Sequence, residues 1–179
     1  VGDLARAIGL PGRPEREDAD GDEDEARRAD AAAAARGEVP VGAVIVGPGG
    51  ILAQAGNSTR ELNDPTAHAE MLVIRAACAA LGQERLTGYD LYVTLEPCAH
   101  QSARGPACAD IVGAAGLARV VIGCGDPDPR TDGKGIASLR SSGVEVDAVN
   151  HSASRASLAG FLTRETQARP HVILKLAVS

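Results

Sequence analysis

The residues of this chain best equipped for chemistry are a histidine, a glutamate two positions on and two downstream cysteines: His68, Glu70, Cys98 and Cys108. A neutral imidazole and two thiolates suit Zn2+ and leave a fourth tetrahedral position open to water. A metal held that way lowers the pKa of its water, and a carboxylate that is not itself a ligand can carry the proton. Glu70 fits that second role, since a purely structural zinc site has no need of an acid beside its ligand. A non-catalytic, zinc-stabilised scaffold is the reading of another class, and Glu70 argues against it. Nine residues separate Cys98 from Cys108. A surface loop absorbs such a length at small entropic cost, which keeps Cys108 on the metal. If the longer loop instead displaces Cys108, His100 becomes the third ligand. Cys78 and Cys124 read as buried core thiols.

The elements that must position these residues are legible in outline. Residues 24–36 have strong helix propensity but offer only alanine to a core. Val39 to Val46 predicts a buried strand, turned by Gly47-Pro48-Gly49-Gly50 into a second strand at Ile51–Ala55. Asn63-Asp64-Pro65-Thr66 forms a turn and cap before a helix from about Ala67 to Leu81, which starts at His68 and Glu70. Asp90–Leu95 reads as a strand that ends at Glu96-Pro97, so Cys98 follows a strand and Cys108 opens a helix over Ala107–Ala115. Strands at Ala118–Gly123 and Val144–Ala148 flank a helix at Gly135–Ser142. Ser152–Gln167 reads as a last helix and His171–Val178 as a last strand. Helices alternating with apolar strands predict an α/β fold, a three-layer α/β/α sandwich around a five-stranded sheet.

Composition narrows the function classes. The net charge is −6, but residues 1–30 hold ten acids and five arginines, leaving 14 acids and 13 bases in the rest. A nearly neutral body does not advertise the basic face of an RNA-backbone binder. Residues 1–23, rich in acids, Gly and Pro, read as a disordered tail. No apolar run approaches a membrane span, no signal-peptide pattern opens the chain, and four cysteines in part-metal spacing fit a reducing, cytoplasmic setting.

The order His68-x-Glu70, then Pro97-Cys98, then Cys108 resembles the signature of the cytidine-deaminase-like superfamily of zinc deaminases. Two branches are resembled at once. GEVPVGAVIV (37–46), Asn57, NDPTAHAEM (63–71) and LYVTLEPC (91–98) look like bacterial tRNA adenosine deaminase. HQSARGPAC (100–108), DPDP (126–129) and GFLTRETQARPHVILKLAVS (160–179) look like the deaminase half of the bifunctional riboflavin-biosynthesis deaminase/reductase. The resemblance implies a mixed sheet, one Zn2+ per chain on His68, Cys98 and Cys108, Glu70 as proton shuttle, and a homo-oligomer. It implies hydrolytic deamination of an exocyclic amine, first of the riboflavin-pathway aminopyrimidine nucleotide and alternatively of tRNA adenosine or a free nucleobase or nucleoside. Asn57 stands where tRNA deaminases bind substrate, though a turn residue in Gly56-Asn57-Ser58 is the plainer reading. Arg104 stands where riboflavin enzymes carry a substrate-side base, or is a surface arginine. Asp126 follows the fourth strand, where α/β sheets bind ligands, or simply makes a turn. The expected organisation is then a tail at 1–23, a zinc deaminase domain at 24–150 and a C-terminal helix at 151–168. Residues 169–179 would be the first strand of a reductase domain that does not follow, leaving no nicotinamide binding.

Overall fold

The computed structural model describes residues 19–101 and 105–173. Element order is α1 (Ala19–Ala35), β1 (Gly42–Gly47), β2 (Gly50–Gly56), α2 (Ala69–Leu81), β3 (Asp90–Val93), α3 (Cys108–Ala114), β4 (Arg119–Ile122), α4 (Lys134–Ser141), β5 (Glu145–Ala148), α5 (Ser152–Ser157) and α6 (Ala159–Gln167). The sheet runs β2-β1-β3-β4-β5. β1 is antiparallel to β2 and β3, whereas β3, β4 and β5 are mutually parallel. This is the mixed five-stranded α/β/α architecture.

The central strands β1, β3 and β4 are buried on both faces, and the period-two alternation of their side chains divides the core in two. Ala43, Ile45, Leu91, Val93, Val120 and Ile122 join the larger cluster with residues of α2, α3 and α4. Val44, Val46, Tyr92 and Val121 face the opposite side and pack with Ala26 of α1. The parallel half of the sheet matters most for chemistry, because β3 and β4 send their carboxyl ends to the same edge of the molecule.

The alanine-rich first helix is explained by close approach. A Cβ on Gly42 would collide with the carbonyl of Ala26, and one on Gly56 would lie 2.5 Å from that of Ala29. Small side chains on the helix and bare glycines on the strands let α1 lie directly on the sheet, so bulk there would separate them. The helix also starts at Ala19, inside the segment expected to be a disordered tail. Acids crowd its first turns, where the positive end of the helix dipole favours them, and Asp24–Arg27 and Glu25–Arg28 form ion pairs at i, i+3. Residues 1–18 lie outside the described part. The single helix expected over Ser152–Gln167 is instead two. The backbone leaves helical geometry at Leu158 (φ −85°, ψ 2°), whose side chain is fully buried. The strand expected at His171–Val178 is not formed over 171–173, where Val172 and Ile173 are 80% and 71% exposed, and 174–179 lie outside the described residues.

Asp30 joins α1 to α5. It is 1% exposed and accepts a hydrogen bond from Ser157 Oγ at 2.9 Å. Burial pushes its carboxyl up to about 6, against the opposing pull of Ser157 and Arg27. A folded-state pKa above the unfolded one stabilises at low pH, and that contribution disappears as pH rises through the folded value. Asp30→Asn, which keeps the acceptor for Ser157, should therefore gain stability over the parent as pH rises from 5 to 8. The expected difference is on the order of 2 kcal/mol in urea unfolding. A difference independent of pH would remove the burial argument.

Candidate metal centre

Two loops and two helix starts converge on the site. His68 is the N-cap of α2, in extended backbone (φ −73°, ψ 152°). Three contacts fix that entry. Asp64 Oδ1 accepts from the backbone N–H and hydroxyl of Thr66 at 2.8 and 2.7 Å. Ser58 N–H donates to Ala67 O at 3.0 Å. Asn57 Oδ1 accepts from Ala69 N–H at 2.9 Å and so caps the helix from outside it, in place of a local capping side chain. Glu38 holds the preceding turn, accepting from the backbone of Arg60 and Glu61 and from Thr59 Oγ1.

β3 runs into Glu96-Pro97 and delivers Cys98, while Cys108 is the first residue of α3. His68 Nδ1 lies 3.2 Å from Cys108 Sγ, and Cys108 N–H donates to Cys98 Sγ at 3.3 Å. Ala109 N–H donates to Cys98 O at 3.1 Å, so the start of α3 is sewn to the end of the β3 segment. The nine-residue connection therefore leaves Cys108 beside Cys98, and its tip (102–104), with Arg104, lies outside the described residues. His100 is not in the group. It lines the adjoining cavity, and its Nδ1 is buried without a hydrogen-bond partner.

The donor atoms of His68, Cys98 and Cys108 all lie within 4.8 Å of one another. Ligands ~2.0–2.3 Å from a tetrahedral zinc sit ~3.3–3.8 Å apart, so the cluster fits that ion after small closure. Its electrostatics point the same way. Cys98 is held low, at about 4, first by the hydrogen bond from the Cys108 thiol and then by His68, whereas Cys108 is pushed up by giving that bond and by burial. His68 is raised, first by its hydrogen bond with Cys98. Two adjacent thiols beside an imidazole, one of them held low, make a donor set that a divalent cation can occupy in place of a proton. Glu70, in the first turn of α2, is 4% exposed, and burial raises its carboxyl to about 7.

Residues 23–124 match the cytidine and deoxycytidylate deaminase zinc-binding region. The chain belongs to that family. Zinc is accordingly the cofactor of this region, and the His–Cys–Cys group is the donor set able to hold it. The chain is 56% identical over 92 residues to the tRNA-specific adenosine deaminase of Agrobacterium fabrum, covering 51% of this chain and 56% of that one. It is 41% identical over 140 residues to the riboflavin biosynthesis protein RibD of Aquifex aeolicus, covering 76% of this chain and 36% of that one. Among solved structures, a diaminohydroxyphosphoribosylaminopyrimidine deaminase/reductase of Thermotoga maritima superposes with TM-score 0.67 at 34% identity, over 83% of this chain and 42% of that one. The chain thus spans about half, or less, of the length of the curated relatives it matches.

A cavity of about 530 Å3 opens on the metal group and is lined by His68, Cys98 and Cys108 together with His100, Arg75 and Arg130. Glu70, Asn57 and Asp126 are not among its lining residues. Asp126 borders a second cavity of about 440 Å3 against α6. It is 8% exposed, its Oδ1 accepts from Asp128 N–H at 2.9 Å, and burial raises its carboxyl to about 6. Of the three candidate substrate residues, Asn57 caps α2 through Ala69 and Asp126 accepts from Asp128 N–H, while Arg104 lies outside the described residues.

Sequence reasoning passed over Arg75, Arg130 and Glu96. Arg75 follows Met71 by one helical turn, and both line the cavity. Glu96 carried its own signal, a single acid closing the apolar strand LYVTL, yet nothing in the sequence said what it would meet. No helix among the described residues is long and apolar enough to cross a membrane.

Proposed function

We propose that this chain is a zinc-dependent hydrolytic deaminase acting on an exocyclic amine of a small heteroaromatic ring, with His68, Cys98 and Cys108 as metal ligands and Glu70 as proton shuttle. The observation that carries this reading is the three-donor cluster with a buried acid two residues from its histidine. Zinc bound there supplies a Lewis acid that makes water a nucleophile near neutral pH. Glu70 would take one proton from the attacking water and pass it to the neighbouring ring nitrogen, then carry the second from the new hydroxyl to the amino nitrogen, so that the C–N bond breaks as the carbonyl forms and ammonia leaves. A carboxyl buried beside the ligand histidine, and not itself one of the three donors, is placed to do both. His68 is oriented by the turn at Asp64–Thr66 and by the Asn57 cap on α2, which keeps its Nδ1 facing the thiols.

The preferred substrate is the phosphoribosylaminopyrimidine of riboflavin synthesis. Support comes from likeness that extends over most of the chain, 76% for the Aquifex relative and 83% for the Thermotoga structure. Adenosine in tRNA is the second reading, favoured by the higher identity, 56%, over a shorter span. Ammonia release from the diaminohydroxyphosphoribosylaminopyrimidine, a tRNA, cytosine and guanine tests both. The expected result is the highest kcat/KM on the aminopyrimidine. Turnover of tRNA alone transfers the assignment to the second reading, and zinc-loaded protein inert on the whole panel overturns the enzymatic one.

A further inference from the structure

The acid that closes β3 is buried against a different part of the chain. Glu96 is 2% exposed, and its Oε2 accepts from the backbone N–H groups of Asp126 and Gly133, both at 3.2 Å, while Oε1 accepts from Ile136 N–H at 3.1 Å. Gly133 is the N-cap of α4, in left-handed backbone (φ 76°), and it supplies no capping side chain. The Glu96 carboxylate therefore caps α4 from another element, where unpaired N–H groups and the helix dipole both favour an anion. Gly135 closes the contact from the other side, since a Cβ there would strike Pro97 O and lie 3.1 Å from Glu96 Oε1. Beyond Cys98, Ala99 N–H donates to Thr131 Oγ1 at 3.4 Å. The loop from 125 to 136 thus grips the Cys98 segment on both sides of the thiol. That loop carries Arg130, which lines the cavity over the metal group, and Asp126, which lines the other.

We propose that Glu96 is a positioning residue: by capping α4 and the Asp126 amide it fixes the 125–136 loop, with Arg130 and Asp126, at a set place relative to the segment that delivers Cys98. Three hydrogen bonds to one buried carboxylate tie the loop and the start of α4 to the metal segment. A glutamine at position 96 keeps the shape but presents an NH2 to one set of N–H donors, and that mismatch frees the loop without adding or removing volume. Glu96 itself stays away from the reacting atoms, and only the turnover readout below rests on the deaminase reading.

The test uses the zinc-loaded chain, its cobalt-substituted form and the variants Glu96→Gln and Glu96→Asp, the second of which draws the carboxylate back by one methylene. Both variants should retain one metal per chain and the visible absorption of the cobalt form. Amide exchange at Asp126, Gly133 and Ile136 should accelerate ~10–100-fold, the scale of a lost bond to a charged acceptor. Against the aminopyrimidine, kcat/KM should fall ~10²-fold, chiefly through KM, as for a binding loop displaced by about an ångström. Unchanged exchange or unchanged kcat/KM in a folded, metal-replete variant overturns the proposal. So does a fall in kcat with KM intact, or activity lost only in step with the metal, since Glu96 would then serve the metal segment and not the loop. If Glu96→Gln does not fold, Glu96→Asp decides by the same readouts. If the wild-type enzyme releases ammonia from no substrate, the deaminase reading fails, while exchange and cobalt absorption still decide whether Glu96 holds the loop.

Discussion

Glu70→Gln should keep one zinc per chain and lose turnover by ~10²–10⁴-fold, the usual worth of a general acid–base group. The change preserves volume and leaves His68, Cys98 and Cys108 in place, so the metal stays while the proton carrier is lost. A purely structural Glu70 would give the opposite pattern, with activity retained or lost only through unfolding. Stability supplies an independent check in the metal-free protein. Burial raises the Glu70 carboxyl from its ordinary range to about 7. Its neutral form is the one the fold favours, so its contribution is fully present at acid pH and is lost as pH rises through that value. At pH 8 the metal-free Gln variant should therefore unfold at higher urea than the metal-free parent, by up to ~3 kcal/mol. An enzyme that is better folded yet inactive would establish that Glu70 is retained for chemistry at a cost in stability. Full activity in Glu70→Gln would end the shuttle assignment.

The second large effect concerns the third ligand. Cys108→Ala should weaken zinc binding by more than ~10²-fold, the upper end already known for outer-shell partners of metal sites. His100→Ala should leave it within a few-fold. The reason is placement: Cys108 Sγ is 3.2 Å from His68 Nδ1 and its own N–H reaches Cys98 Sγ, whereas His100 lines the cavity wall outside that group. Loss of Cys108 also removes the thiol that holds Cys98 low, so the remaining pair becomes a poorer anionic site. Competition with a chromophoric chelator measures both variants. Zinc retained in Cys108→Ala and lost in His100→Ala would put the longer loop in charge of ligation after all.

Much of this molecule was legible from local rules. Strands at β1, β3 and β4 follow from short apolar runs between turn residues, and α2 from the Asn63–Thr66 turn and a broad apolar face. Their ends lie within three residues of the expected ones, and the start of β3 at Asp90 and the end of α2 at Leu81 coincide with them. The extended entry at His68 and the Cys98–Cys108 pairing rest on backbone hydrogen bonds that bring together residues ten and more apart, which no window of sequence displays. The start of α1 was missed because its acid-rich turns read as a tail by composition, while the glycines that dock it lie far downstream on β1 and β2. The break at Leu158 was missed because helix propensity continues straight through it, and only the buried socket of that leucine reveals the turn.

The sequence by itself determined the ligand types, the acid beside them and the alternation of helix and strand, because donor chemistry and hydrophobic period are properties of residues and short spacings. Only the tertiary structure decided that the nine-residue loop returns Cys108 to Cys98, that Asn57 caps α2, and that Glu96 reaches across to α4. Those outcomes depend on which buried N–H groups are left without partners once the sheet has assembled. A buried donor must be satisfied by whatever acceptor the fold brings within reach.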